Sequence, residues 1–428
     1  MRKQRAAIIL AAGKGVRMKS ALPKALCELS GKPMVRFLID AAKSSGIDKI
    51  VVVGGYKIGL LKKALSGEKV KIVQQKNLLG SADAVKQAQA SFKGFKGDIL
   101  VLYADTPLIK AATLKALLKR HAAARADLTL LTGATENPGD YGRVQRDEND
   151  RVCAIIEHTD ISRAVQEPSQ ISTHEINIGA YCFDSKCLFD GLKKIRKNRI
   201  KKEFYLTDII SYFYQKDYRI SSYVTDDESE MLGINRREEL IIAEDLLRER
   251  TILKHLAAGV TIKDPGSAYI QEGAKIAKNV VIYPFVVIDR DVVVGKNCRV
   301  GPFAHLRKGT VLEDGSEVGN FVEIVRSRIG VDSKVKHHSY LGDTVVGRKV
   351  NVGAGTITAN YDGKKKSMTV IEDGAFLGSG TTIVAPVKIG KEAITGAGSV
   401  VVKGKDVPPR TVVVGVPAKP LKSLRRGR

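Results

Sequence analysis

In the second half of the chain an aliphatic side chain returns at every sixth position: Ile270, Ile276, Ile282, Ile288, Val294, Val300, Leu306, Leu312, Val318 and Ile324. Neither the 3.6-residue period of an α-helix nor the two-residue period of a flat strand produces that spacing. A six-residue repeat specifies a parallel β-helix, in which each short strand is followed by a corner, the aliphatic side chain points inward, and stacked coils bury it. The frame slips by one residue at Ile329, runs on through Val335 and Leu341, and slips again at Val346. After an insertion it resumes as Leu377, Ile383, Ile389, Thr395 and Val401. Slips and insertions mark loops leaving the coil. The repeating positions are core, so any chemistry must come from the polar residues that interrupt them.

The first half follows a different rule. Apolar, β-rich runs at 6–10, 50–54 and 99–103 alternate with helical stretches at 34–44, 58–65 and 111–124. Such alternation predicts an α/β fold with a mainly parallel sheet covered by helices. The unbroken run Ile50-Val51-Val52-Val53 suits a strand buried on both faces. Ligands of such sheets sit beyond the carboxyl ends of the strands, which directs attention to the loops after Leu10 and Tyr103. Residues 236–258 are rich in Glu, Leu and Arg with apolar residues at helical spacing, and Gly259 is a helix stop. The expected division is a nucleotide-binding, Rossmann-like domain over 1–235, a connecting helix over 236–259, and a hexapeptide-repeat β-helix with a basic tail over 260–428.

Composition narrows the classes. No apolar stretch approaches the roughly 20 residues of a membrane span, and the first residues run directly into a strand, so a cytoplasmic protein is expected. Five cysteines (Cys27, Cys153, Cys182, Cys187, Cys298) without a CxxC pair suggest reduced thiols rather than a disulfide framework or a zinc site. The formal net charge of +25 draws anions to the surface. Its basic runs, at 193–202, 364–366 and 422–428, lack the interleaved aromatic residues of a single-strand platform. Phosphorylated small molecules are therefore expected as partners, and nucleic acid is not.

Between the first expected strand and Pro23-Lys24 lies Leu10-Ala11-Ala12-Gly13-Lys14-Gly15-Val16-Arg17-Met18. Met18 stands where a dinucleotide fingerprint has its third glycine, and the spacing is not that of a Walker A loop either. Glycines here let backbone N–H groups approach a phosphate chain, while Arg17 and Lys24 can neutralise charge on a leaving pyrophosphate. In the β-helix the interrupting polar residues are Arg307, Glu323, His337, His338, Tyr340, Asn351, Asn360, Tyr361, Lys366 and Ser379, in a chain with seven histidines. Acyl transfer from a thioester to an amine needs a base near neutrality, for which histidine is suited, and a donor for the oxyanion.

Taken in order, LAAGKGVRM, PKAL, YADTPLI, DYGRV, IIEH, EINIGAY and FYLTDI resemble the bifunctional UDP-N-acetylglucosamine pyrophosphorylase / glucosamine-1-phosphate N-acetyltransferase family (GlmU family), over roughly 6–235. GPFAHLR, VGNFVE, KHHSYLGD, VNVGAGTITANYDG and GSGTTIVAPV resemble the acetyltransferase half of the same family, over about 301–386. The resemblance implies a left-handed β-helix and two reactions: acetyl transfer from acetyl-CoA to glucosamine 1-phosphate, and attack of N-acetylglucosamine 1-phosphate on UTP with release of pyrophosphate. By position, Leu10, Ala11, Ala12 and Gly13 would hold the nucleotide, Gln75, Gly80 and Ser81 the uracil, and Tyr103 and Asp105 the ribose and phosphates. Gly142, Glu157 and Asn177 would line the sugar pocket, and Asp105 and Asn235 would hold Mg²⁺. In the second half His337 would be the general base with Glu323 orienting the site. Arg307, Tyr340, Asn351 and Lys366 would bind the amino-sugar phosphate, and Ala354, Asn360, Tyr361, Ser379 and Ala397 would meet acetyl-CoA. The family builds that site between subunits of a homotrimer.

Four departures stand out. Gly80-Ser81-Ala82-Asp83-Ala84 replaces the usual Gly-Thr-Gly-His-Ala, which puts a charge near the base site. Ala104-Asp105 replaces Gly-Asp. Val325, with Arg326 beside it, stands where the family has lysine, and Gly415 where it has arginine. On a strand, adjacent residues face opposite ways, so Arg326 is not expected to substitute. The alternative these departures favour is a single-activity sugar-1-phosphate nucleotidyltransferase whose β-helix serves assembly or regulation.

Overall fold

A computed structural model describes residues 3–158, 174–198 and 202–421. The end of the basic run at 193–202 and the tail 422–428 thus lie in part or wholly outside the described residues. The chain divides into two compact units, Met1–Leu246 and Leu247–Arg428, and the division falls within the helix Arg237–Ala257.

In the first unit the sheet runs, edge to edge, Ile220–Thr225, Leu128–Ala134, Glu175–Asp184, Gly97–Tyr103, Gln4–Ala11, Lys49–Gly54, Lys71–Gln74. Along this path only Glu175–Asp184 is antiparallel to its neighbours and the other pairings are parallel; off the path, Arg143–Arg146 pairs antiparallel with Glu175–Asp184 and with Val152–Ile156. Alternation along the central strands sends side chains to two cores. Ala7, Ile9, Val52, Leu100 and Leu102 pack with Val35, Leu38 and Leu114 on one face. Ala6, Ile8, Val51, Val53 and Val101 pack with Val85, Ile209 and Phe213 on the other. Burial on both faces explains why these strands are apolar throughout. The helices Met34–Ser44 and Ala111–Ala123 cover the first face. The parallel strands Gln4–Ala11 and Gly97–Tyr103 end side by side, Leu10 opposite Tyr103, and this end carries the candidate site.

The second unit is a β-helix of three mainly parallel sheets in which, up to Thr382–Val384, each strand pairs with the third one after it; Ile394–Thr395 then pairs with Val412–Val414, which pairs antiparallel with Lys419–Pro420. All ten aliphatic positions from Ile270 to Ile324 are at most 9% exposed, as the repeat requires. Full coils are eighteen residues long. The two slips are sides shortened by one residue, giving seventeen-residue coils, and the insertion lengthens one coil to twenty-five. Thr395 takes an inward position without an apolar side chain, because its hydroxyl pairs with Thr381 at 2.8 Å inside the helix.

One corner of the coil has a property the repeat did not announce. Phe285, Phe303, Phe321 and His338 occupy the same corner in successive coils, all with left-handed backbone, and their rings stack at 4.9–5.1 Å. Gly355, Gly380 and Gly398 continue the same left-handed position upward. Bulky residues pay roughly 1–2 kcal/mol to adopt that backbone, and stacking over partly exposed faces offsets some of it.

Candidate functional site

A cavity of about 920 Å³ opens at the carboxyl end of the first unit's sheet, lined by the loop after strand Gln4–Ala11, by Gln75, Gly80 and Ser81, by Tyr103 and Asp105, and by Asn235. Its central feature is a triad from distant parts of the chain. The Lys24 ammonium donates to Asp105 Oδ2 at 2.6 Å and to Asn235 Oδ1 at 2.8 Å. Backbone contacts set these partners in place. Ile234 N–H donates to the Asp105 carbonyl at 2.7 Å, Gly233 N–H to the Tyr141 hydroxyl at 2.9 Å, and Glu239 caps the N–H groups of Asn235 and Arg236. Gly15 is left-handed, and a Cβ there would stand 2.5 Å from Lys24 Cβ, so the glycine is needed for Lys24 to reach Asp105. Gly55 packs as closely: its Cβ would meet the Ala12 carbonyl at 2.7 Å. Gly15 belongs to the loop whose glycines the sequence pointed to, whereas Gly55, after the strand Lys49–Gly54, was not singled out.

Leu10, Ala11, Ala12, Gly13, Arg17, Lys24, Gln75, Gly80, Ser81, Tyr103, Asp105 and Asn235 all line this cavity. A Cβ on Gly13 would meet nothing within 4 Å, so this glycine leaves room for a ligand. Arg17 lies at the rim, half exposed, with its guanidinium 3.4 Å from Asp140 rather than on the triad. Gly142, Glu157 and Asn177 do not line the cavity but form a neighbouring group. Asn177 N–H donates to the Gly142 carbonyl at 2.9 Å, a Cβ on Gly142 would lie 3.6 Å from Glu157 Oε2, and Glu157 accepts from Thr207 at 2.7 Å. Tyr103 joins the two groups: burial pushes its hydroxyl pKa well up, and it is close enough to Ser81, Glu157 and Asp105 to feel each.

Asp105 Oδ2 and Asn235 Oδ1 are two hard oxygens already converging on one cationic atom, which is the donor set a divalent ion with phosphate and water ligands takes. Among the described residues no group of three or more His, Cys, Asp or Glu could hold a metal by itself, so such an ion would depend on substrate oxygens.

On the β-helix, His337, Ala354, Ser379 and Ala397 each precede the left-handed corner residue of successive coils, and the carbonyls of His337, Ala354 and Ser379 accept in turn from Gly355, Gly380 and Gly398 N–H, the last two at 2.7 and 2.8 Å. The result is a track of small side chains and glycines rising from His337. His338, beside it, is stacked on Phe321. Arg307 donates to Glu323 at 2.7 Å, and Glu323 pairs in register with Tyr340 on the next coil. Asn351 lies on another sheet, in register with Lys334. The insertion folds back on itself through a Tyr361–Lys366 bridge and places the Asn360 amide on Asp343. The expectation for Arg326 needs amending. Val325 is buried, but Arg326 sits at a left-handed corner rather than on a strand. It binds Asp343 with both Nε and Nη2, at 2.6 and 2.8 Å. Hydrogen bonding from Arg326 holds the Asp343 carboxyl below its usual range against the opposing effect of burial, with Asn360 and Lys366 adding to the shift. Strand alternation therefore does not govern where Arg326 points.

A nucleotide-sized cavity at the end of a mainly parallel sheet, followed by a hexapeptide β-helix with a histidine at the foot of a small-residue track, defines a nucleotidyltransferase joined to a hexapeptide-type transferase. Family models agree: nucleotidyl transferase matches residues 6–233, the GMPPB C-terminal domain residues 265–362, and bacterial transferase hexapeptide (six repeats) residues 368–403. The chain is 39% identical to the bifunctional protein GlmU of Geobacillus sp. (strain WCH70) over 95% of this chain and 94% of that one. It is 40% identical to that of Syntrophomonas wolfei, covering 95% and 96%, and 41% identical to that of Thermosipho africanus, covering 95% and 94%. The chain belongs to the GlmU family of bifunctional enzymes.

Proposed function

We propose that this chain makes UDP-N-acetylglucosamine in two steps: acetyl transfer from acetyl-CoA to glucosamine 1-phosphate on the β-helix, then uridylyl transfer from UTP to N-acetylglucosamine 1-phosphate in the α/β unit, releasing pyrophosphate. The observation that carries the second step is the convergence of Lys24, Asp105 and Asn235 on one point of the cavity wall. The sugar phosphate oxygen displaces pyrophosphate from the α-phosphorus of UTP, a reaction in which positioning and charge neutralisation dominate. Leu10 to Gly13 hold the phosphate chain, Lys24 offsets its growing charge, and Arg17 swings from Asp140 at the rim to meet it. Gln75, Gly80 and Ser81 hold the base, and Gly142, Glu157 and Asn177 the sugar. Asp105 and Asn235 would hold Mg²⁺, which would supply charge neutralisation for the leaving pyrophosphate.

For the first step, His337 takes the amine proton as the amine attacks the thioester, and Glu323 with its Arg307 partner orients the site. Arg307, Tyr340, Asn351 and Lys366 hold the amino-sugar phosphate. The track through Ala354, Ser379 and Ala397 takes the extended arm of acetyl-CoA, with Asn360 and Tyr361 beside it; small side chains there let a ligand lie against the backbone. A homotrimer in the cytoplasm completes this reading. Among the described residues no helix is long and apolar enough to cross a membrane.

A paired assay tests both halves. Purified protein should release pyrophosphate from UTP and N-acetylglucosamine 1-phosphate, and free thiol from acetyl-CoA and glucosamine 1-phosphate. His337→Ala should abolish thiol release alone, and Asp105→Ala pyrophosphate release alone. Pyrophosphate without thiol in the unaltered protein would establish the single-activity alternative instead.

A further inference from the structure

At the base end of the cavity one side chain has its orientation set by an acid peculiar to this chain. Gln75 is 3% exposed, and its amide nitrogen donates twice, to the Gly80 carbonyl at 3.0 Å and to Asp83 Oδ2 at 2.7 Å. Both partners are pure acceptors, so only one assignment of the amide is possible: nitrogen toward Asp83, oxygen away from it. The carboxylate is itself oriented, since its other oxygen accepts from Gln87 at 3.2 Å. Among the described residues no donor reaches Gln75 Oε1, and Gln75 lines the cavity. The Gly80 N–H is likewise unused, and Gly80 lines the same wall.

We infer that Asp83 is a positioning residue for base selection: as the shorter of the two acceptors on the Gln75 nitrogen, with the Gly80 carbonyl beside it, it holds the amide with its carbonyl toward the cavity, so that the site accepts a ring N–H and rejects a ring acceptor. Uracil offers an N3–H donor with a carbonyl beside it, which fits Gln75 Oε1 and the Gly80 N–H. Cytosine presents an unprotonated N3 at the same place, so two acceptors face each other and neither is satisfied. Were the amide free to turn, its NH₂ would serve cytosine N3 as well as its oxygen serves uracil N3–H. Asp83 thereby restores, by a route through Gln75, a discrimination that the altered Gly80–Ala84 segment puts in doubt.

The inference rests on the uridylyl transfer proposed above, and one experiment separates their fates. Pyrophosphate release is measured with UTP and with CTP for the unaltered enzyme, Asp83→Ala and Asp83→Asn, each checked for folding by circular dichroism, and kcat/KM is compared as a ratio. The unaltered enzyme should prefer UTP. Asp83→Ala should lower the UTP/CTP ratio about tenfold, the scale of one mismatched polar contact in a buried site. Asp83→Asn, whose Oδ1 still accepts from Gln75, should keep most of it. Loss of the Asp83 charge changes both nucleotides alike and leaves the ratio unmoved, so the ratio reports orientation. A folded Asp83→Ala that retains the ratio, or an unaltered enzyme that uses CTP as well as UTP, overturns the inference while the uridylyl reading survives. No pyrophosphate from either nucleotide overturns both.

Discussion

Replacing Gly15 by alanine tests whether the phosphate loop works by placing Lys24. Two costs add. Gly15 has φ +65°, a backbone that costs alanine roughly 1–2 kcal/mol. The new Cβ would also stand 2.5 Å from Lys24 Cβ and 3.4 Å from Lys24 Cα. Restoring an ordinary contact requires the lysine stem to retreat by about 1 Å, since repulsion rises steeply inside van der Waals distance. A shift of that size breaks the 2.6 and 2.8 Å bonds from Nζ to Asp105 and Asn235. Misplacement of a reacting group by about 1 Å costs on the order of 100-fold. Gly15→Ala should therefore lower kcat/KM for pyrophosphate release about 100-fold, with thiol release unchanged. Gly13→Ala is the internal comparison: its Cβ meets nothing within 4 Å, so it should leave the fold's stability alone and act only by crowding the nucleotide, raising KM. Rates come from a continuous pyrophosphate assay. Stability comes from urea unfolding followed by circular dichroism, because the chain has no tryptophan. A Gly15→Ala enzyme within twofold of the original in kcat/KM would refute the placement argument.

Three further outcomes follow from other parts of the molecule. Leu306→Ala, at a fully buried inward position, should cost roughly 2–5 kcal/mol; urea unfolding should show it, and thiol release should become heat-labile while pyrophosphate release does not. The Asp343 carboxyl, held low chiefly by Arg326, stabilises the β-helix fully above its unfolded pKa of about 3.9 and loses that contribution as pH falls through the lower folded value. Asp343→Asn should therefore flatten the acid limb of the urea midpoint below about pH 4 and leave the limb above pH 5 unchanged in slope. Chelation of divalent cations should abolish pyrophosphate release and spare thiol release, since Asp105 and Asn235 converge as hard-oxygen ligands on the nucleotide cavity.

Much of this architecture can be read from spacing alone. Ten inward residues announce the β-helix because a core position admits only one side-chain class, and the strands 6–10 and 99–103 are visible because burial on both faces leaves no polar alternation. Contacts between distant segments are another matter. Lys24 meets Asp105 and Asn235 across separations of 81 and 211 residues, and no local pattern encodes such a meeting; it became an expectation only through the resemblance of several motifs taken together. The corner ladder lay between these cases. Phe285, Phe303 and Phe321 recur at the coil length, a signal present in the sequence, but left-handed backbone is so rarely phenylalanine's that a corner is not the place one looks for it.

The departures from the family pattern share a physical logic. At two of the four, a side chain at or beside the change is tied to a neighbour that the sequence does not place beside it: Asp83 to the Gln75 amide, Arg326 to Asp343 and through it to Asn360. A charge committed to a bidentate partner is not available to a phosphate, so Arg326 does not replace a lysine at Val325; it anchors the insertion that carries Asn360 and Tyr361. The consequence differs between the two sites. In the α/β unit the substituted residue acts on selectivity, because it fixes which atom of Gln75 faces the cavity. On the β-helix it acts on the geometry of a loop, through Asp343 and the Asn360 amide that Asp343 holds.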